Sequence, residues 1–151
     1  DYLHTNNIIH RDIKCLNLFL GKNKTIKIGD MGVSKIVSNI NALHCTRVGT
    51  PLYLSPELIK NVPYDFKVDI WSVGCSIYHL ACMEPPFQGD NLIVLGNNIV
   101  KMPHKPLNGS YSREVCKMID AYLSKKPDNR PSAKESFDFI PQNIKVNLFI
   151  I

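Results

Sequence analysis

The sequence predicts an α+β fold, a mostly helical domain with a small β-hairpin region near its N-terminus. Residues 18–20 and 25–28 are short apolar or β-branched runs, and residues 21–24 between them suit a hairpin connection. Residues 68–82 are apolar on nearly every side of a helix, which is the pattern of a buried central helix. Strands that precede a series of helices favour an α+β arrangement.

Three further helical segments follow the central helix. The sequence Glu-Pro-Pro at 84–86 ends that helix, because proline cannot continue it. Residues 91–100 and 112–123 then carry apolar side chains at helical spacing. Ser132 and Glu135 are three residues apart, the spacing of a capping box, and this predicts the start of the last helix.

The composition indicates one globular domain and excludes several classes of protein. The chain has 151 residues, a formal charge of +5 and 44% hydrophobic residues. No apolar run approaches the ~20 residues of a membrane span, so no membrane insertion is expected. The basic residues are scattered, so no nucleic-acid interface is expected either. The five cysteines form no CxxC pair and are expected to be small buried residues inside the cell: Cys15, Cys45, Cys75, Cys82 and Cys116.

One short segment carries most of the chemical information. Asp12, Lys14 and Asn17 lie within eight residues, and Asp30 follows thirteen residues after Asn17. Carboxylate and amide oxygens are the ligands that Mg²⁺ prefers, so Asn17 and Asp30 suit a magnesium-bound triphosphate. Asp12 is placed to accept the proton of an attacking hydroxyl, and Lys14 to neutralise charge on a phosphoryl group. The pattern therefore favours phosphoryl transfer.

This constellation resembles the catalytic loop and magnesium loop of eukaryotic protein kinases, H-R-D-x-K-x-x-N followed by D-F-G. Three later segments resemble further kinase markers in the family's order: residues 49–57, residues 69–74 and Arg130-Pro131. The resemblance implies a partial protein kinase domain over residues 1–140, the large lobe only, with the small lobe absent. Residues 141–151 form a tail of unknown role. A chain that begins at Asp1 is expected to be an internal fragment or a processed product.

The resemblance implies a role for each matching residue. Asp12 is the expected catalytic aspartate and Lys14 the phosphate-contacting lysine. Asn17 and Asp30 are the expected metal ligands and also bind the nucleotide. Phe19 is expected to form the floor of the adenine pocket, and the alternative is an ordinary core residue of a strand.

A second set of implied residues belongs to the activation segment. Thr46 is the expected phosphate acceptor, with Arg11 and Lys35 placed to receive the phosphate. The alternative is that Thr46 is an unmodified residue of a surface loop. Thr50 is expected to lie near the substrate and to mark serine/threonine specificity.

Other matching residues are expected to support the fold. Glu57 and Arg130 are expected to form a buried ion pair, and Asp69 to brace the backbone of the catalytic loop. His4 and His44 show no partner pattern and are expected at the surface.

Within the family, residues 10–20, 30–32 and 46–57 look like the NIMA-related serine/threonine kinases. The departures from the kinase pattern are few: Met31 replaces phenylalanine and is expected to remain a packing residue, Ser55 replaces alanine, and Cys15 replaces a frequent proline. That subfamily is associated with the cytoplasm, centrosome, cilium, cytoskeleton and nucleus.

The resulting hypothesis is an ATP-dependent serine/threonine protein kinase that uses ATP and Mg²⁺ on protein substrates. The fragment alone is expected to be inactive, because the glycine-rich loop and nucleotide lysine of the small lobe are missing from it, and its inter-lobe face is expected to be sticky. The alternative is an inactive kinase-like lobe that acts as a protein-binding module. The sequence upstream of Asp1 distinguishes the two hypotheses.

Overall fold

The computed structural model describes residues 1–22, 25–36, 51–107 and 111–140, and it confirms an α+β arrangement. The helices are α1 Tyr2–Thr5, α2 Pro56–Lys60, α3 Lys67–Cys82, α4 Leu92–Lys101 and α5 Arg113–Tyr122. The strands are β1 Ile8–Ile9, β2 Leu18–Leu20, β3 Ile26–Ile28 and β4 Lys35–Ile36. Short 3₁₀ helices occupy Cys15–Asn17, Pro51–Tyr53, Pro127–Asn129 and Glu135–Phe139.

The strands form two antiparallel pairs. β2 pairs with β3 in the predicted hairpin, with Phe19 opposite Lys27. β1 pairs with β4, with Ile9 opposite Lys35, so the two ends of the intervening segment, residues 10–34, lie close together. This segment contains the predicted catalytic and magnesium loops.

Helix α3 is the buried centre of the fold, as predicted. Trp71 is fully buried and stacks on Phe87 with a centroid distance of 5.5 Å. A Cβ atom on Gly74 would lie 2.7 Å from Cβ of Tyr122, so the glycine allows α5 to approach α3 closely. The C-terminal turn departs from the prediction, because Leu80 is 60% exposed.

The predicted helix starts are confirmed by side-chain caps. The Asn91 side chain accepts hydrogen bonds from the amides of Ile93 and Val94, and Ser112 accepts one from Val115. Each cap satisfies amide groups that have no partner within the helix.

The capping box at Ser132 forms, but the α-helix predicted after it does not. The Ser132 amide donates to Glu135 at 2.7 Å, and the Glu135 amide donates to the Ser132 hydroxyl at 3.1 Å. The chain continues as a 3₁₀ helix, Glu135–Phe139. Proline at position 141 disfavours helical backbone at Ile140, which leaves too few residues for a stable α-helix.

The predicted ion pair lies in the core. Arg130 donates to both carboxylate oxygens of Glu57, at 2.6 and 2.8 Å, and both side chains are buried. The guanidinium also lies 5.0 Å from the Trp71 ring, and the amine of Lys67 donates to the Arg130 carbonyl. This network joins α2, α3 and the segment before the last 3₁₀ helix.

Several predictions fall outside the described residues: Thr46, Thr50, His44, Cys45 and the tail 141–151. The other four cysteines are free, and Cys75 is fully buried. Within the described ranges, no helix combines the length and apolar character needed to span a bilayer.

Candidate active site

The predicted catalytic loop closes on itself around Asp12. The amine of Lys14 lies 2.6 Å from Oδ2 of Asp12. The 3₁₀ turn at Cys15–Asn17 then brings Asn17 back, and its amide nitrogen donates to the Asp12 carbonyl at 2.8 Å and to Oδ2 at 3.1 Å. The structure therefore brings three of the predicted site residues into direct contact.

Asp69, at the start of α3, holds the backbone of this loop. Its buried carboxylate accepts hydrogen bonds from the amides of His10 and Arg11, at 2.8 and 2.9 Å. This confirms the predicted bracing role. Arg11 needs such support, because its φ of 68° lies in the left-handed region that most side chains avoid.

His4 is a third partner of Asp69, and its predicted surface position is wrong. Its Nε2 lies 2.9 Å from Oδ2 of Asp69, and its ring packs on Phe66 with a centroid distance of 5.0 Å. Asp69 lies 65 residues from His4 in the sequence, so no local sequence pattern predicts this contact.

His10 connects the catalytic loop to the predicted magnesium loop. The ring is fully buried, its Nε2 lies 3.2 Å from the Gly29 carbonyl, and its Nδ1 accepts from the Asp12 amide at 3.4 Å. With Nδ1 as the acceptor, Nε2 carries the proton and donates to Gly29. The Gly29 amide in turn donates to the Asn17 carbonyl at 2.9 Å. Two independent hydrogen bonds therefore fix Asp30 next to the loop that carries Asp12.

Asp30 is exposed and adopts a left-handed conformation with a φ of 61°. Its Oδ1 accepts from the Gly32 amide at 3.3 Å, which forms a local turn of the kind that aspartate favours. This turn holds the carboxylate at the rim of the site, where a ligand can reach it.

Phe19 is not a core residue, so the alternative reading of this position is wrong. Its side chain is 55% exposed and covers Gly29, where a Cβ atom would lie 2.7 Å from the ring. Further exposed apolar side chains lie on or beside the same hairpin: Leu16, Leu20, Ile26 and Ile28. The hairpin therefore exposes apolar side chains on both faces, with Leu20 and Ile26 on one face and Phe19 on the other.

Met31 does not pack as expected. It is 44% exposed, and its sulfur accepts a hydrogen bond from the Ser34 hydroxyl at 3.5 Å. Among the described residues, the methionine has no apolar pocket of its own.

The structure tests the predictions for Arg11 and Lys35 only in part. The Arg11 side chain donates from Nε to the Val33 carbonyl at 2.6 Å, which ties it to the segment before β4. The backbone of Lys35 pairs with Ile9, and its side chain lies outside the described atoms. The structure therefore does not test their meeting with Thr46.

A second cluster beside the catalytic loop escaped the sequence analysis. The hydroxyl of Tyr53 lies 2.8 Å from Nδ1 of His79 and also hydrogen bonds to Cys15. Burial raises the pKa of the Tyr53 hydroxyl, so it stays protonated. The Cys15 thiol donates to the Ser76 carbonyl at 3.6 Å. The helical spacing of Ser76 and His79 on α3 is the only signal that the sequence offered.

The donor set of the site suits a hard cation. No group of three or more His, Cys, Asp or Glu side chains in the described part of the chain is arranged for a metal. Asn17 and Asp30 offer amide and carboxylate oxygens. Mg²⁺ commonly uses one or two protein ligands together with phosphates and waters, so the pair fits magnesium better than zinc.

Comparisons with known proteins agree with this geometry. The family model described as Protein kinase domain matches residues 1–139. The chain is 44% identical over 135 residues to serine/threonine-protein kinase Nek3 of Oryza sativa subsp. japonica, which covers 89% of this chain and 23% of that protein. It is 42% identical over 132 residues to human Nek5, and this alignment covers 87% of this chain and 19% of Nek5. It is 38% identical over 133 residues to mouse Nek4, and that alignment covers 88% of this chain and 17% of Nek4. The chain thus spans less than a quarter of each of these relatives.

Proposed function

Because the chain belongs to the protein kinase family and its relatives are NIMA-related serine/threonine kinases, we propose that residues 1–140 are the large lobe of an ATP-dependent serine/threonine protein kinase. The small lobe is then supplied by another part of the full-length gene product. The exposed apolar side chains of the hairpin, Leu20, Ile26 and Ile28, support this proposal, because an apolar surface of that kind normally has a covering partner.

The observation that carries the proposal is the contact between Asp12, Lys14 and Asn17. The Asp12 carboxylate lies 2.6 Å from the ammonium of Lys14 and 3.1 Å from the amide nitrogen of Asn17. From the core, Asp69 accepts hydrogen bonds from the backbone amides of the two residues before Asp12. These bonds hold the backbone that carries the three side chains. Phosphoryl transfer depends mainly on such fixed positions and charges.

Asp12 and Lys14 divide the chemical work. Asp12 orients the serine or threonine hydroxyl of the substrate and accepts its proton as the oxygen attacks the γ-phosphorus of ATP and the bond to the departing ADP breaks. Lys14 lies beside it and offsets negative charge on the transferred phosphoryl group. Their direct ion pair keeps both groups in place before the substrate arrives.

Asn17 and Asp30 are the proposed magnesium ligands, and Phe19 the proposed adenine contact. The side-chain nitrogen of Asn17 donates to Asp12, so the side-chain oxygen of Asn17 is the atom that we propose as the magnesium ligand. When bound, magnesium would neutralise the phosphates of ATP and hold them in line with the acceptor. The loop residues His10 and Gly29 set the spacing between the two proposed ligands.

Thr46 and Thr50 complete the proposal. Phosphorylation of Thr46 would add about two negative charges and draw in Arg11 and Lys35. Among the described residues, Arg11 uses only its Nε, which leaves its terminal nitrogens for a phosphate. Thr50 would lie against the substrate near Asp12.

The test uses the full-length gene product, Mg²⁺ and ATP with a serine/threonine peptide mixture. We expect phosphate transfer by the unaltered protein, loss of at least about a thousandfold in Asp12→Asn, and full activity in Asp90→Asn, an exposed carboxylate outside the site. Equal turnover in Asp12→Asn would refute the site. A folded protein without any transfer would instead favour the protein-binding module.

A further inference from the structure

The first turn of α4 is apolar and exposed. Leu92 and Ile93 are 71% and 77% exposed, and Val94 beside them is exposed as well. The helix packs on the core through Leu95 and Ile99, which are buried. Three consecutive exposed apolar residues are unusual on a helix whose surface has no partner, so this turn indicates an interaction surface.

A groove runs beside this turn, between α4 and the short helix α2. It has a volume of about 570 Å³ and is lined mainly by apolar residues. Ile59 of α2 lies over Gly96, where a Cβ atom would be 3.3 Å from Cγ2 of Ile59, so the glycine keeps the helices close and leaves a recess in the surface of α4. Ile93 and Val100 line the groove one turn before and one turn after this recess. The same face therefore carries projecting apolar side chains and a recess.

We infer that this face pairs with the same face of a second copy of the chain, with the two α4 helices antiparallel. A symmetric interface uses one patch twice, so the patch must contain both projecting and recessed parts. With the helices crossing between Gly96 and Asn97, Ile93 of each copy lies beside Val100 of the other. The exposed first turn of each copy is then covered by the groove of the other. This inference does not depend on the proposed kinase function.

The polar residues of the face agree with this pairing. Asn97 is exposed and lies at the crossing, where it meets its own copy, and a side-chain amide has both donors and an acceptor, so the two amides can hydrogen bond to each other. The exposed Asp90 precedes α4 and the exposed Lys101 ends it. An antiparallel pair places the acidic end of each helix beside the basic end of the other, whereas a parallel pair would bring like charges together. The charge pattern therefore favours an antiparallel second copy as the occupant.

Sedimentation velocity of the full-length gene product over a concentration series measures the association. One helix and one groove cover less than the about 800 Å² per partner of a stable complex, so we expect a dimer with a dissociation constant of about 10 to 100 µM. Ile93→Ser removes an apolar contact twice in a symmetric dimer and should raise this constant at least about tenfold. Leu80→Ser is the matched control, because Leu80 is also an exposed apolar residue but lies on α3 and does not line the groove.

Cross-linking tests the register of the pairing. A residue at the crossing faces its own copy, so Asn97→Cys should form a disulfide between two chains under mild oxidation with oxidised glutathione. Mass spectrometry of the digested dimer identifies the linked peptides. Lys117→Cys, at an exposed position of α5, is the control and should give no such product at the same concentration.

Two results would overturn the inference. A monomer at every concentration up to about 200 µM would mean that another segment or another protein covers the groove. A dimer with the same dissociation constant in Ile93→Ser, and without the disulfide in Asn97→Cys, would mean that the copies meet through another surface. Phosphate transfer is assayed at nanomolar protein, where such a dimer is dissociated, so neither result bears on the proposed function and Asp90→Asn stays a valid control there.

Discussion

Two pairs of carboxylates occupy opposite environments in this molecule. Glu57 and Asp69 are 5% and 1% exposed, and Arg130, backbone amides and His4 satisfy them. Asp12 and Asp30 lie in loops: the Asp12 side chain is 12% exposed and paired with Lys14, and Asp30 is exposed.

The difference in burial indicates which carboxylates stabilise the fold and which are available for the proposed chemistry. A buried charge that loses its partner is left in a medium of low polarity, so the fold bears the cost. An exposed carboxylate on a supported loop contributes little to the fold and remains available to a ligand. Substitutions in the first pair should therefore unfold the protein, and substitutions in the second should inactivate it.

The largest effect on stability is expected at the buried ion pair. Arg130→Met leaves Glu57 charged and unpaired in the core, and the free energy of unfolding should fall by ~3–5 kcal/mol. Chemical denaturation measures this loss. The neighbouring exposed Lys126→Met serves as the control and should change stability by less than about 0.5 kcal/mol. A small effect of Arg130→Met would erase the contrast between the two pairs.

Asp69→Asn should affect both properties, because Asp69 joins the core to the catalytic loop. The amide cannot accept all three hydrogen bonds from His10, Arg11 and His4, so stability should fall by ~2 kcal/mol and phosphate transfer should fall with it. Denaturation and turnover are measured on the same preparation. Asp65→Asn is the control, because Asp65 is an exposed residue two positions before α3 and asparagine can still accept the hydrogen bond from the Lys67 amide. Full turnover in Asp69→Asn would show that the loop needs no anchor.

Ser55→Ala is expected to increase the stability of the core, whereas the two preceding substitutions are expected to decrease it. The Ser55 hydroxyl is fully buried and has no hydrogen-bond partner among the described residues. Removal of an unsatisfied hydroxyl should raise the free energy of unfolding by ~1 kcal/mol, without a change in turnover. A loss of stability would indicate that the hydroxyl has a partner after all.

A further effect, expected only above neutral pH, is a pH dependence of stability at Lys125. Burial lowers the pKa of its amine to about 8, although the amine also lies 3.8 Å from the Phe87 ring centroid and donates to the Ile99 carbonyl. The unfolded chain then binds the proton more tightly than the folded chain, so this group's contribution to stability rises between about pH 8 and pH 10. The denaturation midpoint of the unaltered protein should rise relative to Lys125→Met over that range. A constant difference would show that the charge is not penalised by burial.

Local sequence patterns predicted much of the fold and the core of the site. Asp12, Lys14 and Asn17 lie within one short segment, so their spacing nearly determines their contact. The helical segments that begin at Asn91 and Ser112 were predicted from apolar spacing, and the caps found there act on amides only two or three residues away.

Contacts between distant segments were not predictable in the same way. His4 contacts Asp69 across 65 residues of sequence, so it was expected at the surface, and the contact of Tyr53 with His79, across 26 residues, was not predicted. The Ser132 capping box was predicted correctly, but the helix type after it depends on Pro141 and on packing. Local chemistry is therefore readable from sequence, whereas the partner chosen by a lone polar side chain depends on the tertiary fold.

The most direct test of the central claim is phosphate transfer by Asp30→Ala in the full-length gene product, measured together with its denaturation midpoint. Asp30→Asn accompanies it, because asparagine keeps the left-handed backbone and removes only the charge. We predict no transfer above background in either variant, with the free energy of unfolding of Asp30→Asn within about 0.5 kcal/mol of the unaltered protein. Unchanged turnover in Asp30→Ala would contradict the assignment of Asp30 and, with it, the proposed magnesium-dependent site.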